Sequence, residues 1–321
     1  MKIGNIELAG IVGLSPMAGA TDRAMREICV EKGAFFTIGE LCSAKGIVLG
    51  DKKSRSYLEC YKTFGVNGPQ LFGNDPEIMA KAALIAKEYS PDFIDINMGC
   101  PAPKIAGNGG GSALMRDSVL AGEIVSAVRE AAKIPVTVKM RTGFDKDHIN
   151  APEIALSCEK AGASLITVHG RTREQMYAPP VDIDTIKRVK EAVSVPVCAN
   201  GDIVDGKSAE EMLHKTGADL LLVGRAALGN PFVFEEINAY LKGEKYTPPS
   251  LETRLLMCQK HIKLMMEYKP QKTAVLHARK HTAWYLSGIK GAAKLRKECG
   301  EINSFEDVLR ILDKALLLNN V

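Results

Sequence analysis

The sequence predicts an α/β barrel of eight strand–helix units followed by a small all-helical domain. Three observations predict it. Short β-branched or apolar runs alternate eight times with helical patterns through the first 240 residues. The length, 321 residues, suits one barrel of about 250 residues with an appendage. Beyond residue 250 the pattern is helical only.

The strand candidates are 11–15, 35–38, 68–72, 93–97, 136–140, 165–169, 197–200 and 220–223. Between them lie 21–32, 75–89, 118–132, 151–161, 182–193 and 207–216, each with apolar residues three and four apart. Gly162 and Gly217 end helices ahead of the next strand. Pro135 and Pro196 open strands, where a missing N–H is harmless. Eight evenly spaced units favour closure over a doubly wound open sheet. Pro248, Pro249 and Ser250 form a linker, which puts the barrel at 1–246 and the helical domain at 247–321. The apolar periodicity of that domain runs through Leu255, Leu256, Cys258, Ile262 and Met265, then Val308, Leu309, Ile311, Leu312 and Leu316.

The composition, 46% hydrophobic and 25% charged, excludes a disordered chain, a collagen and a coiled coil. No apolar run approaches the ~20 residues that span a bilayer, and no apolar stretch follows the first charge, so neither a membrane segment nor a secretory signal is expected. Eight scattered cysteines, with no Cys-x-x-Cys pair and no histidine at finger spacing, point to a reducing cytoplasm and to no structural metal. A monomer is the default.

Net charge is +4, but it is unevenly spread. Residues 250–321 carry 13 Lys and Arg against 7 Asp and Glu. Within 260–297 ten basic residues face Glu267 alone. A basic segment on a near-neutral body suggests a polyanionic partner, the alternative being a solvated helix face.

In a barrel, chemistry gathers at the carboxyl ends of the strands. Gly201 and Gly224, with Arg225 beside them, end the last two strands and can form a phosphate site from backbone N–H groups and a guanidinium. The alternative is two turn glycines and a surface-paired arginine. Gln70, Lys139 and His169 end the third, fifth and sixth strands. Together they suit an electron-rich planar ring, with Lys139 stabilising negative charge and His169 a switchable hydrogen-bonding group. Ring and phosphate together suggest flavin mononucleotide (FMN). The turn after the first strand, Ser15-Pro16-Met17-Ala18-Gly19, is not a dinucleotide fingerprint. Cys100 follows the fourth strand between Gly99 and Pro101 and can serve as a general acid or as an activated nucleophile. The glycine-rich stretch 103–112 behind it reads as a lid or as a place of close backbone approach.

These motifs resemble those of the tRNA-dihydrouridine synthases, B-type branch, over most of the chain. The carriers are Pro16-Met17-Ala18-Gly19, Asp95-Ile96-Asn97-Met98-Gly99-Cys100-Pro101, Val138-Lys139-Met140-Arg141-Thr142-Gly143, His169-Gly170-Arg171-Thr172-Arg173, Ala199-Asn200-Gly201-Asp202-Ile203 and Gly224-Arg225-Ala226. In the helical domain Arg279-Lys280-His281, Trp284-Tyr285, Lys290-Gly291 and Leu295-Arg296 carry it. The resemblance implies a TIM barrel that reduces uridines of tRNA to 5,6-dihydrouridine, with NADPH or NADH reducing the flavin. It implies hydride transfer from flavin N5 to uracil C6 and a proton from Cys100 to C5. Pro16, Met17, Ala18, Gln70, Lys139, His169, Asn200, Gly201, Asp202, Gly224 and Arg225 would hold FMN. Asn97 and Arg171 would face the uracil, and Arg279, Lys280, Lys290 and Arg296 would contact tRNA. One departure is visible: after Gln175-Met176-Tyr177 the family usually continues Ser/Gly-Gly and then Ala-Asp-Trp, whereas this chain reads Ala178-Pro179-Pro180-Val181-Asp182-Ile183. The alternative function is an FMN-dependent barrel oxidoreductase acting on a free pyrimidine or other small molecule, which leaves the basic segment unexplained.

Overall fold

A computed structural model describes residues 1–319. Eight parallel strands close a barrel in chain order: β1 (Val12–Leu14), β2 (Phe36–Ser43), β3 (Val66–Phe72), β4 (Ile94–Met98), β5 (Val136–Arg141), β6 (Leu165–His169), β7 (Val197–Asn200) and β8 (Leu220–Val223), with β8 hydrogen-bonded to β1. Each strand falls on one of the eight candidate runs. β2 continues to Ser43, five residues past its candidate, through a register shift between Ile38 and Leu41. That irregularity brings Glu40, which the apolar pattern did not reach, into the buried layer.

Seven long helices surround the barrel: α1 (Arg23–Glu31), α2 (Pro76–Lys87), α3 (Ser118–Ala132), α4 (Ala151–Lys160), α5 (Ile183–Ala192), α6 (Gly206–Thr216) and α7 (Val233–Leu241). Aspartates begin most of them. Asp22, Asp75, Asp117, Asp182 and Asp205 each accept a backbone N–H of the first turn, a cap worth about 1 kcal/mol. The helices pack the outward residues of the strands, such as Val12, Ile96, Val138, Val168 and Leu221, into the main core.

The barrel interior is divided. Its lower part is apolar, with Phe36, Ile38, Phe93, Leu165, Cys198, Leu220 and Leu222 in one cluster. An N-terminal hairpin, Lys2–Ile3 with Ile6–Glu7, closes that end by contributing Ile3 and Leu8. Two-residue strands leave no periodicity by which a sequence could show them. Higher up, the inward positions are polar: Gln70, Asp95, Asn97, Thr137, Lys139 and Asn200.

Four helices follow Ser250: α8 (Leu251–Tyr268), α9 (Gln271–Tyr285), α10 (Ala292–Glu298) and α11 (Phe305–Asn319). Their core extends into the barrel layer, because Ala24 and Ile28 of α1 and Phe232 belong to the same cluster as Ile262, Ala278, Leu295 and Ile311. Polar ties surround that contact. Lys260 Nζ lies 2.5 Å from a Glu31 oxygen, Lys269 Nζ lies 3.1 Å from Asp22 Oδ2, and Tyr268 donates to Glu27 at 2.7 Å. No helix among the described residues is long and apolar enough to cross a membrane.

Barrel and helical region approach each other closely at Gly229. Its φ is +69°, and a Cβ there would lie 2.4 Å from the Trp284 carbonyl carbon and 2.5 Å from Tyr285 N. Gly229→Ala should therefore cost about 1–3 kcal/mol. In a urea titration we expect loss of α8–α11 before the barrel in this variant, against a single transition in the parent chain. An unchanged midpoint and slope would show that the two parts do not depend on this contact.

Candidate active site

The carboxyl ends of the strands surround a cavity of about 940 Å³. Pro16, Met17, Ala18, Gln70, Lys139, His169, Asn200, Gly201, Asp202, Gly224 and Arg225 all line it, as do Asn97, Cys100 and Arg171. Strand register explains the convergence. Gln70 pairs with Asp95, which pairs with Thr137, and one step further along, Asn97 pairs with Lys139. Residues i and i+2 of a strand share a face, so both rows point inward.

The polar groups of the floor that line the cavity have fixed partners, whereas the buried Thr167 hydroxyl beside Lys139 has none. Lys139 Nζ donates to Asn200 Oδ1 at 3.0 Å, and Asn200 Nδ2 donates to the Leu222 carbonyl at 2.8 Å. Because that carbonyl can only accept, the Asn200 oxygen must face Lys139. Burial, helped by nearby Arg141, lowers the Lys139 amine to about 8. The Asp95 carboxyl is pushed up to about 7 by burial, against hydrogen bonds from Thr137 at 2.5 Å and Gln70 at 2.7 Å and the charge of Lys139.

His169 differs from its expected role as a switchable group. Burial and the charges of Lys139, Arg141, Arg171 and Arg225 hold its ring down to about 2. Arg171 Nη1 lies 3.4 Å from His169 Nε2, and a guanidinium can only donate. The ring is therefore a fixed neutral group with its proton on Nδ1.

Arg171 is only 1% exposed and is held from three sides. Besides His169, it donates to the Ala178 carbonyl at 2.7 Å and to Asp202 at 2.6 Å. Arg225 donates to the other Asp202 oxygen at 2.8 Å. Asp202 thus joins the ends of β6 and β8. Partial burial opposes its ionisation, but the two arginines hold its carboxyl below the ordinary range. The segment that departs from the family pattern, with a cis Pro179–Pro180 peptide, supplies the Ala178 carbonyl and seats Val181 against Gly170 and Gly201. Arg225 is surface-paired with Asp202, and its side chain also lines the cavity.

Cys100 is half-buried at the cavity wall. Its N–H and that of Gly99 donate to Asn97 Oδ1 at 2.9 and 3.2 Å. Its carbonyl accepts from Ser112, and Gly111, at φ +58°, leaves room for it, since a Cβ there would sit 2.9 Å away. The glycine-rich stretch is thus a place of close backbone approach. Arg141, quoted in a motif but given no role by sequence, ties this loop to the one after β6: it donates to Gly99 O at 2.7 Å, Thr172 O at 2.8 Å and Met176 O at 3.0 Å.

Five cations, Lys139, Arg141, Arg171, Arg225 and Lys280, line the cavity against the single carboxylate of Asp202. Such a site favours an anionic ligand. Lys280 reaches it from α9 and donates to the carbonyl of Gly19, whose N–H donates to Glu40. It therefore sits at the cavity rim, while Arg279 is spent inside the helical region, on Ile302 O at 3.0 Å and Asn303 at 3.2 Å. Lys290 and Arg296 are exposed, as are Lys263, Lys272, Lys294 and Lys297. Behind Lys280, ligand atoms of Asp22, His277 and His281 lie within 4.8 Å of one another, but the Lys269 ammonium already matches the Asp22 charge.

The model of the family described as Dihydrouridine synthase (Dus) matches residues 13–320. The chain is 40% identical over 316 residues to a probable tRNA-dihydrouridine synthase of Rickettsia bellii, covering 98% of this chain and 96% of that one. It is 40% identical over 315 residues to tRNA-dihydrouridine synthase B of Proteus vulgaris (98% and 97% covered). Among solved structures, morphinone reductase in complex with tetrahydroNAD superposes with a TM-score of 0.55 at 14% identity, covering 79% of this chain and 92% of that one. A variant of NCR from Zymomonas mobilis gives 0.55 at 16% identity (79% and 93%). At such identities these likenesses concern the fold.

Asp202→Asn keeps the shape but removes the charge between two guanidiniums. We expect it to lower unfolding free energy by about 1–2 kcal/mol at pH 7, discounted because Asp202 reaches water. A carboxyl with a depressed folded pKa contributes above its unfolded value of about 4 and loses that contribution as pH falls through the folded one. The gap between parent and variant in urea unfolding should close below pH 4; a gap that persists there would mean that charge is not the cause.

Proposed function

The chain belongs to the dihydrouridine synthase family, and on that premise we propose the following division of labour among its residues. The protein is an enzyme that reduces uridine in tRNA to 5,6-dihydrouridine, using a flavin and NAD(P)H. The single observation that carries the residue assignments is the cationic, donor-rich cavity at the carboxyl ends of the strands.

We assign FMN as the flavin and NADPH as the reductant. The donor set fits FMN: Lys139, neutral His169, Gln70 and Asn200 offer fixed hydrogen-bonding groups to a flat polar ring, and Gly201, Gly224 and Arg225 offer N–H groups and charge to one phosphate. Open space at Gly224, where the nearest atoms to a Cβ would be 3.9 Å away, leaves the backbone accessible to such a group. Pro16, Met17 and Ala18 form the apolar side of the same cradle. When bound, the flavin supplies the hydride that goes to uracil C6.

The chain's own residues manage charge and protons. Reduction at C6 leaves negative charge on the uracil, and the Cys100 thiol gives C5 its proton, the thiolate being reprotonated from solvent. A thiol needs no neighbouring base for this role. Asn97 and Arg171 would border the uracil, Asn97 offering an N–H because its oxygen is committed to the backbone. The cavity lies inside the barrel mouth, so the target base must leave its stack to reach it. Lys263, Lys272, Lys290, Lys294, Arg296 and Lys297 would meet tRNA phosphates, and Lys280 would act at the rim.

Incubation of the protein with unmodified tRNA and NADPH should add two hydrogens to a defined uridine, read by mass spectrometry. Cys100→Ala should retain flavin and slow turnover by about 10²–10⁴-fold; normal turnover would end the assignment of the acid. A flavin-bearing protein that leaves tRNA unchanged but reduces free uracil would favour the small-molecule reading.

Binding of tRNA should weaken steeply with salt. Lys294→Gln with Lys297→Gln should reduce the slope of log affinity against log salt by about 1 per residue removed. An unchanged slope would place these two lysines off the RNA path.

A further inference from the structure

We propose that Asp95 is a positioning residue: it anchors a one-way chain of hydrogen bonds through Gln70 and Asn97 that fixes the backbone of Cys100 at the cavity wall. Asp95 does not line the cavity, whereas the three residues it acts on do. The chain is short and continuous. Thr137 Oγ1 donates to Asp95 Oδ1 at 2.5 Å, and Gln70 Nε2 donates to Asp95 Oδ2 at 2.7 Å. Asn97 Nδ2 donates to Gln70 Oε1 at 2.8 Å, and Cys100 N donates to Asn97 Oδ1 at 2.9 Å.

Its direction is set at both ends. Backbone N–H groups can only donate, so Asn97 must present its oxygen to Gly99 and Cys100. Its amide nitrogen then faces Gln70, which must answer with oxygen and turn its own nitrogen to Asp95. Asp95 completes the sequence with Oδ2 as acceptor, whether it is ionised or carries its proton on Oδ1 toward the Thr137 hydroxyl, which can then accept. Any reversal along the way would set two donors or two acceptors against each other in a buried site, where Asp95 and Thr137 are 0%, Gln70 1% and Asn97 7% exposed. The same polarity leaves Asn97 an N–H group, not its oxygen, to offer to the cavity, since Gly99 and Cys100 both occupy Oδ1. An acid two residues before Asn97 on an inward face is thus coupled to the reacting thiol without touching it.

The proposal rests on the reading of Cys100 as proton donor, and its test separates the two. Asp95→Asn can keep the direction, its oxygen toward Gln70 and its amide toward Thr137 Oγ1. Asp95→Val cannot. Because Gln70 also faces the flavin, NADPH reduction of each variant serves as the reference, and the loss in the tRNA step should exceed any loss in that step. Reoxidation by tRNA should fall at least about tenfold in Asp95→Val and no more than about threefold in Asp95→Asn. Alkylation of Cys100 by iodoacetamide, followed at its own peptide, needs no RNA. It should speed up at least about threefold in Asp95→Val, where the loop has lost its hold, and not in Asp95→Asn. If Asp95→Val does not fold, the isosteric double variant Asp95→Asn with Thr137→Val takes its place, since the amide then has nothing to hold it away from Gln70. Equal rates in Asp95→Val and the parent, or equal losses in Asn and Val variants, would overturn the proposal. Failure of the parent to reduce tRNA would instead overturn the functional reading, with the alkylation pattern still deciding the role of Asp95.

Discussion

A polar layer buried inside a closed barrel persists where nearly every donor meets an acceptor, and much of this site follows from that constraint. Leaving one such group unmade costs about 1–3 kcal/mol, more than a typical bond gains. The inward rows of β3, β4 and β5 meet the demand by strand register, which sets Gln70 beside Asp95 and Asp95 beside Thr137. The amides cannot turn freely, so the cavity presents a fixed pattern of charge and hydrogen-bonding groups before any ligand arrives. Preorganisation of this kind is where barrel enzymes gain much of their catalytic power.

The same constraint shapes the cations. Arg141 and Arg171 are not free hands reaching for substrate; Arg141 makes three bonds to carbonyls of the loops after β4 and β6, and Arg171 is tied to the Ala178 carbonyl, Asp202 and His169. They set the loop geometry and at the same time fill the cavity with positive field. Burial, with that field added to it, keeps His169 neutral and lowers Lys139. Electrostatic character and loop structure are therefore one design here, and a substitution in either arginine changes both.

The helical region extends the barrel's surface and is not simply strung behind it. Its apolar core takes in Ala24 and Ile28 of α1, and its basic residues are divided between two tasks. Lys260, Lys269, Arg279 and Lys280 are used for docking, internal ties and the rim, while six others remain on the surface. A count of charge along the chain treats all ten alike; only position separates them.

Periodicity and turn chemistry determined the eight strands, the surrounding helices α1–α6 and the site of the chemistry, because side-chain alternation and capping are local and leave a mark in the sequence; α7 was not among the helical segments read there. Gly201, Gly224, Lys139 and Cys100 were legible for the same reason, being residues of marked chemistry at strand ends. The hairpin at the N-terminus, the burial of Glu40, the neutral state of His169 and the engagement of Arg279 were not. Each depends on partners distant in the chain: Ile3 on Phe36, Arg279 on Ile302, His169 on four cations from three strands and their loops. Above all, Asp95 reads in the sequence as one acid in a motif. Closure of the barrel makes it the end of a chain of hydrogen bonds, because strand register, which no single segment encodes, decides which side chains meet.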